Sequence, residues 1–265
     1  MPFSLLLSKA HRHLRNTPVA NIPGAWPIYE RLVKASGKTK IHGGMELEIL
    51  QDTNTHYASG FEQHVVNVFK TEISHGDTVL ELGCSIGYFT MLFSKLVGSE
   101  GSVIGYEVDP KRYEVLKRNV QRNNCNNIQI YNLAASDKST NFTISSGDKQ
   151  FEAESVKLDN HLNESIDVVK IDIEGAELNA LDGMSKTITK NRPTIICEVH
   201  PNHLKNYGQS VTSLQEFINT HNYSIFHITH ENGPTEFNGK VIKVNKFAEG
   251  REHYLFKPNE IDDTV

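Results

Sequence analysis

From Thr78 onward, short runs rich in Val, Ile and Leu alternate with stretches of helical periodicity, and this alternation limits the fold more than any other feature of the chain. Thr78–Leu82, Ser102–Glu107, Ile128–Ala134, Ile166–Ile173 and Pro193–Val199 read as strands. Between them, Ser85–Val97 carries Ile86, Phe89, Leu92, Phe93 and Leu96 on one side. A second helix opens at Pro110 and ends near Asn123, and a third runs from Glu174 to about Ile188. Parallel strands need crossovers of about this length, so the expectation is an α/β fold: a mostly parallel sheet flanked by helices. A helix over Val211–Thr220 precedes two late strands, Tyr223–Ile228 and His253–Phe256. Asn141–Ile144 and Ser155–Leu158 read as strand pieces in a less regular insert. Ahead of the alternation come a short amphipathic N-terminal helix, a proline-rich loop over Asn16–Pro27, one or two strands within Lys40–Leu50 and a helix over Phe61–Ile73. The expected division is an N-terminal helical and strand cap (1–56), a main domain (57–258) and a frayed tail (259–265).

The 265 residues carry a net charge of −5, so no bulk basic charge draws the chain to nucleic acid. Cys84, Cys125 and Cys197 form no CxxC pair, which argues against a zinc ribbon or a disulfide framework and for a reduced, cytoplasmic protein. No apolar run approaches a membrane span, and the N-terminal apolar stretch precedes its positive charges, a poor fit to a secretory signal.

The strongest local signal is Val79-Leu80-Glu81-Leu82-Gly83-Cys84-Ser85-Ile86-Gly87, a strand, a glycine-bearing turn and a helix start. Gly83 and Gly87 let a ligand approach the backbone, and a helix N-terminus offers unpaired N–H groups. The pattern is GxxxG with Ser85 at its centre, not GxGxxG, which disfavours NAD; no GK[ST] follows, which excludes a P-loop. Glu81 would repel a pyrophosphate but suits the ammonium of an amino-acid ligand such as S-adenosylmethionine. The bland alternative is a tight strand-to-helix turn.

Glu107 ends the next strand, 20 residues after Gly87. A carboxylate there can accept both hydroxyls of a ribose, while Asp109 caps the following helix. After the third strand, Asp137 offers an acceptor for an adenine amino group and Ala134 and Ala135 leave room for a flat ring; an ordinary turn is an equal reading.

Lys170-Ile171-Asp172-Ile173-Glu174-Gly175-Ala176-Glu177 holds the densest charge. Alternation along a strand puts Lys170, Asp172 and perhaps Glu174 on one side near its carboxyl end. Glu174 and Glu177, three apart at a helix start, can face one way. The structural alternative is a Lys170–Asp172 ion pair with Glu174 as a cap. Glu198 and His200 close the fifth strand, also two apart. Asp172 is the first candidate for a general base and His200 the second, with Glu174 or Glu198 orienting a substrate and Lys170 holding Asp172 ionised or binding the substrate oxygen. A divalent metal on Asp172, Glu198 and His200 is a further alternative, not favoured.

That strand resembles the K-x-D-x-E-G-x-E signature of the FkbM family of methyltransferases. Leu158-Asp159, Gly83-Cys84-Ser85-Ile86-Gly87-Tyr88-Phe89-Thr90 and the aromatic-Glu pair Phe61-Glu62 fit it too. The resemblance covers about Tyr57 to Pro201, and departs from the family at Ser85, where asparagine is common. It implies a Rossmann-like class I methyltransferase fold, a seven-stranded sheet with the last strand antiparallel. It also implies S-adenosylmethionine as cofactor and O-methylation of a hydroxyl on a sugar or small natural product. Cofactor contacts then fall to Glu81, Gly83, Ser85, Gly87, Glu107, Ala135, Asp137 and Asp172. A non-catalytic S-adenosylmethionine-binding module and an N-methyltransferase acting on a protein or small amine are the competing classes. The loop after strand four reads Asp172-Ile173-Glu174-Gly175, unlike the Asn/Asp-Pro-Pro-Tyr loop of many amine methylators.

Overall fold

The computed structural model describes residues 37–50, 57, 61–146, 149–229 and 240–260. The amphipathic N-terminal helix, the proline-rich loop and most of the tail lie outside them. Its elements in chain order are β1 (Lys38–Ile41), β2 (Met45–Glu48), α1 (Gln63–Glu72), β3 (Thr78–Leu82), α2 (Tyr88–Val97), β4 (Ser102–Tyr106), α3 (Pro110–Arg122) and β5 (Ile128–Tyr131). Then follow β6 (Ala134–Ser136), β7 (Thr140–Ser146), β8 (Lys149–Lys157), α4 (Leu158–His161), β9 (Val168–Ile171), α5 (Glu177–Gly183), α6 (Ser185–Asn191) and β10 (Thr194–Val199). The chain continues through α7 (Pro201–Leu204), α8 (Val211–Thr220), β11 (Tyr223–Thr229), β12 (Lys240–Val244) and β13 (Glu252–Pro258).

The main sheet runs β12-β11-β13-β10-β9-β3-β4-β5. Its five consecutive strands β10, β9, β3, β4 and β5 are parallel, and β13 enters antiparallel between β10 and β11. Seven of these strands match the expected class I arrangement. The eighth, β12, is an edge strand on β11 that the sequence reading missed, although Val241, Ile242 and Val244 form a β-branched run ending at Asn245.

Three expected elements differ. The third strand stops at Tyr131, and Ala134–Ser136 leaves to form a second sheet, ordered β6-β8-β7, so the insert is a regular hairpin rather than loose strand pieces. The third helix begins at Glu177, because Glu174 and Gly175 take positive φ values of 55° and 105°. It then breaks at Met184, where Gly183 packs so tightly that an added Cβ would stand 1.9 Å from the Ser136 carbonyl oxygen. The helix expected from Ser85 starts at Tyr88, because Ser85 (φ 51°) and Gly87 (φ 97°) form a left-handed turn.

Alternation assigns the two faces of the sheet. Val79, Val103, Val168, Ile196 and Leu255 pack under α1 and α2 with Val65, Phe69, Met91 and Phe93. Leu80, Ile104, Val169, Ile195 and Phe256 pack under α5, α6 and α8 with Leu181, Ile188 and Leu214. The β1–β2 hairpin is fastened to α3, where Arg118 and Arg122 pair with Glu48 at 2.7 and 3.1 Å and Arg122 with Glu46 at 3.3 Å. These two arginines therefore fasten the hairpin to α3. All three cysteines are free and buried. Among the described residues, no helix is long and apolar enough to cross a membrane.

Candidate functional site

The polar site extends the apolar stripe under α1 and α2. At the carboxyl ends of the strands, Val79 and Val168 give way to Glu81 and Lys170, which stand opposite each other in register. On the neighbouring pair, Glu198 faces His253. The α/β sheet therefore presents its charge where ligands gather, in the crevice beyond the carboxyl ends of its strands.

One half of the crevice is the turn between β3 and α2. Gly83 and Cys84 both donate their N–H to the Tyr106 carbonyl at 3.0 and 3.1 Å, locking the turn to β4. Gly87 caps α2 with no side-chain hydrogen bond, so the first amides of a ten-residue helix have no side-chain acceptor. The Glu107 carboxylate accepts the Ser85 N–H at 2.6 Å and the Asp109 N–H at 2.8 Å, one on each oxygen. Burial pushes its pKa up, and the two N–H donors offset part of that rise. Asp109 caps α3 as expected, accepting from Lys111 and Arg112. Arg112 Nη1 donates to Ser85 Oγ at 3.3 Å. Tyr57, Phe61 and Tyr88 pack ring on ring above the turn, with centroids 4.8 to 5.5 Å apart.

Two of the expected cofactor contacts bond to side chains of the protein itself. Glu81 is 1% exposed; its Oε2 accepts from Thr90 Oγ1 at 2.6 Å and its Oε1 lies 3.7 Å from Lys170 Nζ. Its side chain is spent inside the protein. Asp137 follows β6 in the second sheet, and its Oδ1 accepts from Ser136 Oγ at 3.1 Å and Asn179 Nδ2 at 3.5 Å. Ala135 beside it is buried.

Lys170 joins the two halves. Its ammonium donates to the Gly83 carbonyl at 3.2 Å, lies 3.5 Å from Asp172 Oδ2 and stands over the Phe89 ring at 5.3 Å. Burial works against its charge, but Asp172 and Glu81 raise its pKa above the ordinary lysine range. The Lys170–Asp172 ion pair of the structural expectation is present, at the carboxyl end of β9.

The other half gathers carboxylates. Burial opposes ionisation of Asp172, yet the Lys170 ammonium and a hydrogen bond with Glu198 hold its pKa below the usual value. Burial and the Asp172 charge push Glu198 up to about 7. Glu198 Oε1 pairs with Arg251 Nε at 3.0 Å and lies 3.8 Å from His253 Nε2, which is 3.5 Å from Glu62. His200 is 2% exposed in its side chain, with Nδ1 2.7 Å from Glu177 Oε1. Burial lowers the His200 pKa, but Glu177 and the neighbouring carboxylates carry it upward overall. The expected common helical face of Glu174 and Glu177 is replaced by a clasp: Glu177 meets one ring nitrogen of His200, and Glu174 stands 3.6 Å from the other.

Lys170, Asp172, Glu174, Glu198 and His200 are thus brought together. Sequence reading overlooked Arg251, His253, Glu177's grip on His200, and Glu62's reach to His253. A histidine two residues after an arginine on a predicted late strand was the only local hint of the first two.

A family profile described as Methyltransferase FkbM domain matches residues 81–225. Among curated proteins, the chain is 35% identical over 75 residues to arsenite methyltransferase of Halobacterium salinarum, covering 26% of this chain and 19% of that protein. It is 38% identical over 60 residues to the 23S rRNA (uracil(1939)-C(5))-methyltransferase RlmD of Pasteurella multocida, covering 23% and 13%. The chain spans less than a fifth of the length of either relative. Among solved structures it is similar to methyltransferase FkbM from Methylobacillus flagellatus KT, with TM-score 0.48 and 18% identity over 68% of this chain and 43% of that one. It is also similar to Aeropyrum pernix fibrillarin in complex with S-adenosyl-L-methionine, with TM-score 0.44 and 14% identity over 74% of each chain.

Proposed function

The chain belongs to the FkbM methyltransferase family, and on that premise we propose that it transfers a methyl group from S-adenosylmethionine to a hydroxyl of a sugar or small natural product. The observation that carries the reading is Lys170, whose one ammonium touches both the glycine turn at Gly83 and the carboxylate of Asp172. Cofactor half and acceptor half are thereby held at a fixed separation, which is the first requirement of an in-line transfer.

The residues fit the cofactor. Each Glu107 oxygen spends one lone pair on a backbone N–H and keeps another for a ribose hydroxyl. The α2 N-terminus and the Ser85 hydroxyl face the same turn. S-adenosylmethionine, when bound, supplies a methyl group on positively charged sulfur. The chain's own residues bind the acceptor, align its oxygen and take its proton. The Asp172–Glu198 carboxylate pair is the proton acceptor; His253 on β13 and Arg251 just ahead of that strand brace Glu198. Tyr57, Phe61 and Tyr88 form an apolar wall that keeps water from the turn.

The test uses radiolabelled S-adenosylmethionine with panels of sugars, phenols, alcohols and amines. Label recovered in an alkali-stable methyl ether supports the reading. Label on an amine nitrogen overturns the O-methyl assignment, and binding of NAD in place of S-adenosylhomocysteine overturns the cofactor.

A further inference from the structure

His200 Nε2 is a buried nitrogen with no hydrogen-bond partner. It faces Glu174 Oε2 at 3.6 Å and Glu198 Oε2 at 3.5 Å, with Asp172 on the same side; ligand atoms from Asp172, Glu174 and His200 lie within 4.8 Å of one another. Carboxylates converging on a buried imidazole nitrogen need a positive charge at their common centre, which a proton on Nε2 or a bound cation supplies. Among the described residues, Glu62, Glu81, Asp172, Glu174, Glu177 and Glu198 gather here with two permanent cations, Lys170 and Arg251, and with the titratable rings of His200, His203 and His253.

The far side of the ring is equally telling. Glu177, fully buried on the first turn of α5, accepts from His200 Nδ1 at 2.7 Å and from the Gly175 N–H at 2.9 Å. With Glu177 accepting at Nδ1, Nε2 is the ring atom turned toward the carboxylates and open to a cation. A carboxylate holding the remote nitrogen of a histidine is the usual outer support of a metal ligand. Gly175 is required for the clasp: its φ is 105°, and an added Cβ would stand 2.6 Å from the His203 backbone.

We propose that Asp172, Glu174 and His200 bind one divalent cation, with Glu177 as the positioning residue behind His200. A set of two carboxylates and one imidazole suits Mn²⁺ and related ions that accept mixed oxygen and nitrogen ligands. If the methyl-transfer reading holds, the ion has an evident use: it would coordinate the acceptor hydroxyl and lower its pKa beside the Asp172–Glu198 pair. Ion binding itself does not rest on that reading and is measured without any methyl acceptor.

The experiment is a titration of the chelator-stripped full chain with MnCl₂, followed by loss of the free-ion electron paramagnetic resonance signal and by nitrogen couplings to the bound ion. The expected result is one ion per chain at micromolar affinity, with one imidazole nitrogen coupling. Glu174→Gln, at an exposed side chain, should weaken binding at least tenfold while leaving the melting temperature of the stripped protein unchanged. His200→Gln, checked for folding by circular dichroism, should abolish the nitrogen coupling. Millimolar affinity, affinity unchanged by Glu174→Gln, or a bound ion without nitrogen coupling would each overturn the site.

Discussion

At the β3–β4 end of the crevice, the Glu107 carboxylate is answered by two backbone N–H donors, while at the β9–β10–β13 end Glu174, Glu198 and the His200 nitrogen face one another without a hydrogen bond to His200 Nε2. The first region is built from consecutive residues of two strand–turn–helix units and is closed by main-chain bonds. The second is built from side chains brought from five separate segments. The contrast separates a region whose geometry is fixed before a ligand arrives from one whose charges wait for an added cation, acceptor or proton. Lys170 spans the two, and the Asp172 N–H to Leu82 carbonyl bond at 3.0 Å joins them through the main chain.

The largest expected effect follows from striking the joint between them. In Gly83→Ala, the new Cβ would lie 1.9 Å from the Asp172 carbonyl at a φ of 86°. Chemical denaturation should show a loss of about 3 kcal/mol, with weaker S-adenosylhomocysteine binding. A loss below about 1 kcal/mol would mean the two halves are not rigidly coupled. Next comes Asp172→Asn, which should lower turnover by roughly 10²- to 10⁴-fold while changing S-adenosylhomocysteine affinity little. Equal losses in both would move Asp172 into the cofactor half and erase the division.

Glu107→Ala should do the reverse. We expect about a hundredfold loss of adenosyl-ligand affinity by calorimetry, the cost of a charged hydrogen-bonding partner being about 1.5–3 kcal/mol. Undiminished affinity would show that the turn binds without its ribose carboxylate.

The smallest effect concerns how the hairpin leans on the cofactor half. His42 Nε2 lies 2.8 Å from the Tyr88 carbonyl, and its ring packs on the Tyr88 ring at 4.5 Å. Burial, with Lys70 and Lys95 nearby, lowers its pKa to about 4. A histidine depressed in the folded state contributes stability above its unfolded value of 6.5, and that contribution fades as pH falls toward about 4. His42→Gln should flatten this part of the stability profile by up to about 3 kcal/mol. An unaltered profile would remove the titrating contact.

The same contrast explains what could be read in advance. The glycine turn, Glu107 and the Asp109 cap are local, since periodicity and spacing over some thirty residues place them. Asp172, Lys170, Glu198 and His200 were also legible, because alternation fixes the face of a strand residue. Which partner each would find was not. Glu81 turned inward because Thr90, one helical turn into α2, is within reach, and Asp137 departed because Asn132 and Leu133 end β5 early. The clasp on His200 depended on two positive-φ residues that shift the helix start by three positions, and propensity assigns those positions to the helix. Pairing across distant segments, such as Glu62 with His253, leaves no local mark at all.

The placement of β13 bears on the timing of assembly. It lies between β10 and β11, although β11 precedes it in the chain, so β10 and β11 have no edge in common until the later strand is inserted. Without β13, the strand paired with β11 is β12. Arg251 and His253 arrive with β13, so Glu198 gains these two partners only once that strand is in place. A half-made chain therefore holds a glycine turn but no finished chemical centre, and completion of the sheet and readiness for reaction become a single event.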